Sequence, residues 1–200
     1  LDHALRDPLS GEIGKSIVFC VSQDHASRVA QLLNELAHKY FPGMYNSDFA
    51  VQITSNIPFA QEYSINFANN NLNGHTRFLD GYKSSKTRIC VTVGMMTTGY
   101  DCQDILNLAM MRPIFSPTDF IQIKGRGTRK WIFKYQYKAG NRLKEIRKEK
   151  AGFKLFDFFA NYEYFEKKFN YDEVIKLPVL YKGIPGGERE HYAHEPVEIV

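Results

Sequence analysis

The feature that most constrains this chain is the run Ser16–Val21 (SIVFCV), continuously apolar and rich in β-branched residues. A strand with one wet face alternates apolar and polar residues; an unbroken apolar run belongs to a strand buried on both faces. The period then changes. Ala26, Val29, Ala30, Leu33, Leu36, Ala37 and Tyr40 recur at helical spacing between Asp24 and Tyr40. Ser22 or Asp24 can cap that helix, and Pro42-Gly43 stops it.

The same alternation continues along the chain. Strands are expected at 49–54 (FAVQIT), 88–93 (RICVTV), 105–110 (ILNLAM) and 154–159 (KLFDFF). Residues 55–74 are Asn-rich and read as a loop with a short helix, and a further helix is expected over 76–82. Ser116-Pro117-Thr118-Asp119 is a helix start: Ser at the N-cap, Pro at the first position, an acid three residues after the cap. That helix should run from Pro117 to about Gly125, and an aromatic helix is expected near 162–169. Strand–helix alternation with continuously apolar strands gives an α/β fold, a parallel sheet sandwiched by helices. Ligands of such sheets bind beyond the carboxyl ends of the strands. Ser22, Thr54-Ser55, the turn 97–101 and the turn 113–116 are all expected at that edge.

The 200 residues, 44% hydrophobic and 24% charged, can build a core, which excludes disorder for most of the chain. No apolar run approaches the roughly 18 residues of a membrane span, no export signal opens the sequence, and the cysteine usage gives a reducing, cytoplasmic setting as the expectation. Cys20, Cys90 and Cys102 form no C-x-x-C pair, so no disulfide framework or metal site is expected, and the six histidines lack ligand spacing. Charge is uneven. Residues 124–154 hold 12 Lys/Arg against two acids, Glu145 and Glu149, whereas residues 1–123 hold 9 against 11. Such a concentration exceeds what solubility needs and points to a polyanion, nucleotide or nucleic acid.

The most specific string is Gln122-x-x-Gly125-Arg126-x-x-Arg129. Spacings of four and three put 122, 126 and 129 on one helix face while the chain stays helical. Two arginines and a glutamine there can grip a phosphate bidentately, which lysine does less well. Upstream lies Thr97-Thr98-Gly99-Tyr100-Asp101, whose small and hydroxyl residues permit close approach to a phosphate and whose Asp can accept a ribose hydroxyl. Gly11-Glu12-Ile13-Gly14-Lys15-Ser16 imitates the end of a P-loop, but position 9 is Leu, and a strand rather than a helix follows.

Thr-Gly-x-Asp followed by Arg-Pro and Q-x-x-G-R-G-T-R resembles motifs V and VI of superfamily 2 helicases and translocases, and Ser16–Ser22 with its helix resembles motif IV. The wording is most similar to the motor subunit of type I restriction enzymes. The resemblance implies a second RecA-like domain, of P-loop NTPase type but without its own P-loop, over residues 16–160. A linker from an upstream motor domain would occupy 1–15, a basic insertion 130–152 and an aromatic then polar extension 161–200. It implies arginine fingers at Arg126 and Arg129, a γ-phosphate sensor at Gln122, and nucleotide contacts at Asp101, Gly99 and Gly125. Thr98, Ser22, Thr54 and Ser55 would touch a DNA backbone. ATP with Mg²⁺ would be held mainly by a first motor domain absent from this chain. The fragment alone would be inactive, a part of an ATP-dependent site-specific deoxyribonuclease and double-stranded DNA translocase. Its partners would be duplex DNA, upstream motor and nuclease domains, and methylation and specificity subunits. Alternatives are a repair or remodelling helicase and a non-catalytic nucleic-acid-binding α/β domain.

Overall fold

In the computed structural model the described residues are 1–76, 78–95 and 101–170. Five strands form one parallel sheet: β1 (Ser16–Cys20), β2 (Ala50–Gln52), β3 (Ile89–Thr92), β4 (Asn107–Met111) and a fifth at Lys154–Asp157, in the order β2-β3-β1-β4-fifth. The central strand β1 pairs with β3 (Ile17 opposite Cys90) and β4 (Ile17 opposite Leu108). Every residue of β1 and β3 is buried, as their apolar runs require. This is the parallel, helix-covered α/β sheet expected of a RecA-like domain.

Helix α1 (Gln23–Tyr40) turns Ala26, Val29, Ala30 and Ala37 onto one face of the sheet, with Ile13, Val18 and Phe49. The other face packs Ile17, Phe19, Leu108 and Met110 against Phe67 of α2 (Ala60–Ala68) and Phe120 and Ile123 of α3 (Pro117–Gly127). α3 starts where its sequence places it: the Ser116 hydroxyl accepts from Asp119 N at 3.4 Å, with Pro117 first in the helix. It continues through Gly127, two residues past the expected end. Gly127 is needed there, because a Cβ would lie 2.2 Å from the Phe153 ring.

The basic stretch folds as an antiparallel hairpin, β5 (Ile132–Ala139) and β6 (Arg142–Glu149), so Lys154–Asp157 becomes β7. Two expectations change. Residues 76–82 are turns rather than a helix, with Arg77 outside the described residues. Gly74 just before the segment and Gly81 within it have positive φ, and Thr76 N donates to Ser84 O, closing a loop instead of a helical turn. The aromatic helix has the expected length but not one form: α4 covers Asn161–Glu163, after Ala160 at φ 56°, and passes into a π-helical turn, Tyr164–Lys168. Residues 1–15, polar and turn-rich by sequence, close on themselves through the Arg6–Ile13 bridge and are held on the body by Asn107, which bonds both Leu5 N and Leu5 O.

The three cysteines are buried thiols without a disulfide; burial pushes the Cys20 thiol up to about 11 and that of Cys90 well above its ordinary value. Among the described residues no helix is long and apolar enough to cross a membrane, and no cluster of His, Cys, Asp and Glu could hold a metal ion.

Candidate functional site

The residues singled out by sequence separate onto two edges of the sheet. At the carboxyl ends, Ser22 follows β1, Thr54-Ser55 follows β2, and Arg112 follows β4. The Ser22 hydroxyl accepts from His25 N at 3.1 Å, capping α1. Its own proton stays available to an outside acceptor. Thr54 is buried, and its hydroxyl lies 2.5 Å from Asn56 Oδ1 and 3.0 Å from Gln52 Nε2. The outward contact expected of Thr54 therefore falls to Ser55, which is exposed. Gln23 Nε2 approaches Ser55 Oγ at 3.5 Å and Gln52 Nε2 donates to Gln23 O at 3.0 Å, so two glutamines join this edge. Sequence reasoning missed them because each is the terminal residue of its element, where a polar side chain reads as ordinary solvation. It also missed Arg112, whose buried Nε has no hydrogen-bond partner among the described residues. Thr98 and Gly99 lie outside the described residues.

The other edge gathers at the amino ends of the strands, where α3 finishes. Asp101 and Arg129 form an ion pair, so the last residue of the threonine-glycine turn meets the last arginine of the motif. The expectation that the whole of 97–101 sits at the carboxyl edge is corrected for Asp101. The chain must return to the amino edge to begin β4, and Asp101 precedes by only three residues Asp104, the partner of Lys15 at the entry to β1. Lys150 joins this edge, donating to Gln103 O at 3.1 Å. Burial lowers the Lys150 ammonium below its ordinary range, with Arg129 nearby adding to the effect and Asp104 and Cys102 opposing it.

The two arginines differ. Arg129 is about one-third exposed, whereas Arg126 is only 6% exposed. Gln122 is half-buried, and its Oε1 has no partner among the described residues. Among the described residues, a Cβ on Gly125 would meet nothing within 4 Å, so that position is not fixed by packing. An ion pair as exposed as Asp101–Arg129 contributes about 0–1 kcal/mol. Exchanging Asp101 for a phosphate at Arg129 therefore costs little.

Lys15 is the opposite case. It is 1% exposed, with Nζ 2.9 Å from Asp104 Oδ1 and 2.7 Å from Phe67 O. Burial alone would raise the Asp104 carboxyl. The Lys15 charge outweighs that, with hydrogen bonds from Asn70, Lys15 and the Cys102 thiol, and holds it below the usual range. Lys15 is thus committed inside the protein, and the P-loop look-alike is a buried strand entry.

Compared with known proteins, the chain matches no family model. It is 31% identical over 123 residues to the type I restriction enzyme EcoKI endonuclease subunit of Escherichia coli (strain K12), a match covering 62% of this chain. The chain is a homologue of that endonuclease subunit. It spans only 9% of the subunit's length. Among solved structures, a fragment assigned to the HsdR subunit of a type I restriction enzyme from Vibrio vulnificus YJ016 aligns over 58% of this homologue and 20% of its own chain, at 29% identity and TM-score 0.45. The C-terminal domain of the DEAD-box protein Dbp5 aligns over 72% of this chain and 61% of its own, at 12% identity and TM-score 0.43.

Proposed function

We propose that this chain is the second motor domain of an ATP-dependent double-stranded DNA translocase of the type I restriction kind. The observation that carries the reading is the Asp101–Arg129 pair, which joins the ends of the two motif-bearing segments at one edge. In this reading ATP with Mg²⁺ is held mainly by a first motor domain. The residues present fit the outer side of a triphosphate: Arg129 is partly exposed, and among the described residues Gln122 Oε1 has no partner and Gly125 has no close neighbour. They do not supply a cradle, since Lys15 is consumed internally. Bound ATP supplies the phosphoryl group whose transfer to water releases energy. Arg129, with Arg126 behind it, neutralises charge on that group, and Asp101, freed from Arg129, accepts a ribose hydroxyl. An arginine supplied from across a cleft makes hydrolysis conditional on domain closure.

The carboxyl edge is the DNA side. Ser22, Ser55 and Arg112 offer donors and a charge but no array for reading bases, so contact is with phosphates and independent of sequence. Residues 1–15 then lead in from the upstream motor domain, 16–160 form the motor domain, and 161–200 extend from it. Nuclease activity, and the methylation and specificity subunits, lie in the rest of the assembly, and the work is cytoplasmic.

Triplex displacement by the longer protein that contains this chain tests the reading. A third strand on linear duplex DNA is expected to be released in an ATP-dependent manner without separation of the two duplex strands. Separation of the duplex strands instead would favour a repair helicase. Neither activity, with ATP hydrolysed at the same rate with or without DNA, would overturn both readings.

A further inference from the structure

The β5–β6 hairpin has no role in the motor chemistry described above. Its register is fixed by an antiparallel ladder from Ile132–Glu149 to Ala139–Arg142, closed at Gly140 with φ 63°. Residues directly opposite in such a ladder share a face, and alternate residues share it along each strand. One face therefore carries Phe133, Tyr135 and Tyr137 on β5, with Lys148, Ile146 and Lys144 opposite them and Arg142 opposite Ala139. It holds three cations and no acid. Both acids of the hairpin, Glu145 and Glu149, fall on the reverse face. There the Gln136 amide and then Arg147 hold the Glu145 carboxyl below its usual range, so its charge is committed locally.

The body props β5 and leaves β6 free. Phe133 is buried, the Tyr135 hydroxyl donates to Asp80 O at 2.7 Å, and Tyr82 meets the Tyr135 ring edge-on at 6.1 Å. Tyr135 and Tyr137 stack at 5.6 Å. Every residue of β6, in contrast, is exposed. An isolated two-stranded hairpin is marginal in water, so these aromatic anchors are what hold the ribbon out. Between ribbon and body runs a groove of about 960 Å³, bordered by Tyr82, Lys83, Tyr137 and Leu143. Its three acids are already partnered: Asp7 is 3.9 Å from Arg88, Asp104 is paired with Lys15, and Glu145 is paired with Arg147.

We propose that the Arg142, Lys144 and Lys148 face of the hairpin is a second DNA contact, binding the phosphate backbone of duplex DNA beside the motor core. The aromatic rings act as a rigid base that aims the cations. Eight residues per strand extend about 27 Å, enough to follow a duplex for most of a turn. Acid-free cations on a strand held away from the body fit a polyanion and offer nothing to an acidic protein patch that phosphates would not match better. The inference rests on the DNA-translocase reading for its choice of polyanion.

The test is binding of the 200-residue chain to a labelled linear duplex of about 30 base pairs across about 50–200 mM salt. With Arg142→Gln, Lys144→Gln and Lys148→Gln combined, affinity at about 0.1 M salt is expected to fall at least about tenfold. The slope of log affinity on log salt should become shallower by about 2 to 3, near 0.9 for each phosphate that is no longer neutralised. Lys134→Gln with Lys138→Gln, on the reverse face, should leave the slope nearly unchanged. The substituted residues are exposed, and an unchanged thermal melt checks the fold. Unchanged affinity and slope in the triple variant would overturn the proposal, as would equal losses from the two faces or tighter binding to a single strand than to the duplex. If the triple variant binds like the parent while Ser55→Asp abolishes binding, the hairpin proposal falls and the translocase reading stands. If the parent chain binds no duplex at about 50 mM salt, both fall.

Discussion

Under the proposed translocase reading, replacing Arg129 with alanine in the longer protein is expected to lower ATP turnover by about 10³-fold or more, with nucleotide affinity changed only slightly. An arginine supplied in trans to a transferring phosphoryl group contributes roughly 10³–10⁵ in rate, because it meets charge that develops in the transition state. What supports this role for Arg129 is that it is partly exposed, and that its present partner, Asp101, is 64% exposed and cheaply exchanged. Arg126→Ala is expected to lower turnover as well, but with a second effect. At 6% exposure its loss also removes buried packing of α3, so its melting temperature should fall where that of Arg129→Ala does not. Steady-state turnover, analogue binding and thermal melts on the two variants separate these effects. Near-normal hydrolysis by Arg129→Ala with DNA present would remove the arginine-finger assignment.

Lys15→Met is expected to cost about 3–5 kcal/mol of folding stability, because it strands the Asp104 carboxylate in the interior. Lys15 and Asp104 replaced together, as Met and Leu, should recover much of that loss, since a buried ion pair exchanged for apolar groups of similar volume is often neutral. Acid dependence follows from the same pair. The folded-state Asp104 carboxyl lies below its unfolded value, so its contribution is complete above the unfolded pKa and is lost as pH falls through the folded one. Urea denaturation of the parent should therefore show stability falling towards low pH, and in the double variant that acid limb should be shallower. An equally stable Lys15→Met protein would show that Lys15 is not buried against Asp104, and would return the G-K-S segment to consideration as a phosphate site.

The sheet was legible because its strands announce themselves. Ser16–Val21 and 88–93 have no polar face, and only a doubly covered parallel sheet accommodates that. The Ser116-Pro117 start was equally plain, since cap and first-turn chemistry are local. What escaped depended on distance in sequence. Lys15 and Asp104 meet across 89 positions, and nothing near either residue marks it as buried. The division of site residues between two edges was hidden because Asp101 sits in a connection that begins at one edge and ends at the other. The hairpin's alternating aromatics were visible, but the face occupied by its acids depends on the register set at Gly140.

The central claim is that this chain offers cations to a triphosphate it does not itself cradle. Equilibrium binding of a fluorescent ATP analogue to the 200-residue chain, beside the longer protein with the upstream motor domain attached, tests it most directly. No saturable binding to the shorter chain is expected, with binding in the longer protein that survives Arg129→Ala. Saturable binding to the shorter chain that is lost in Lys15→Met at a temperature where that variant remains folded would contradict the account.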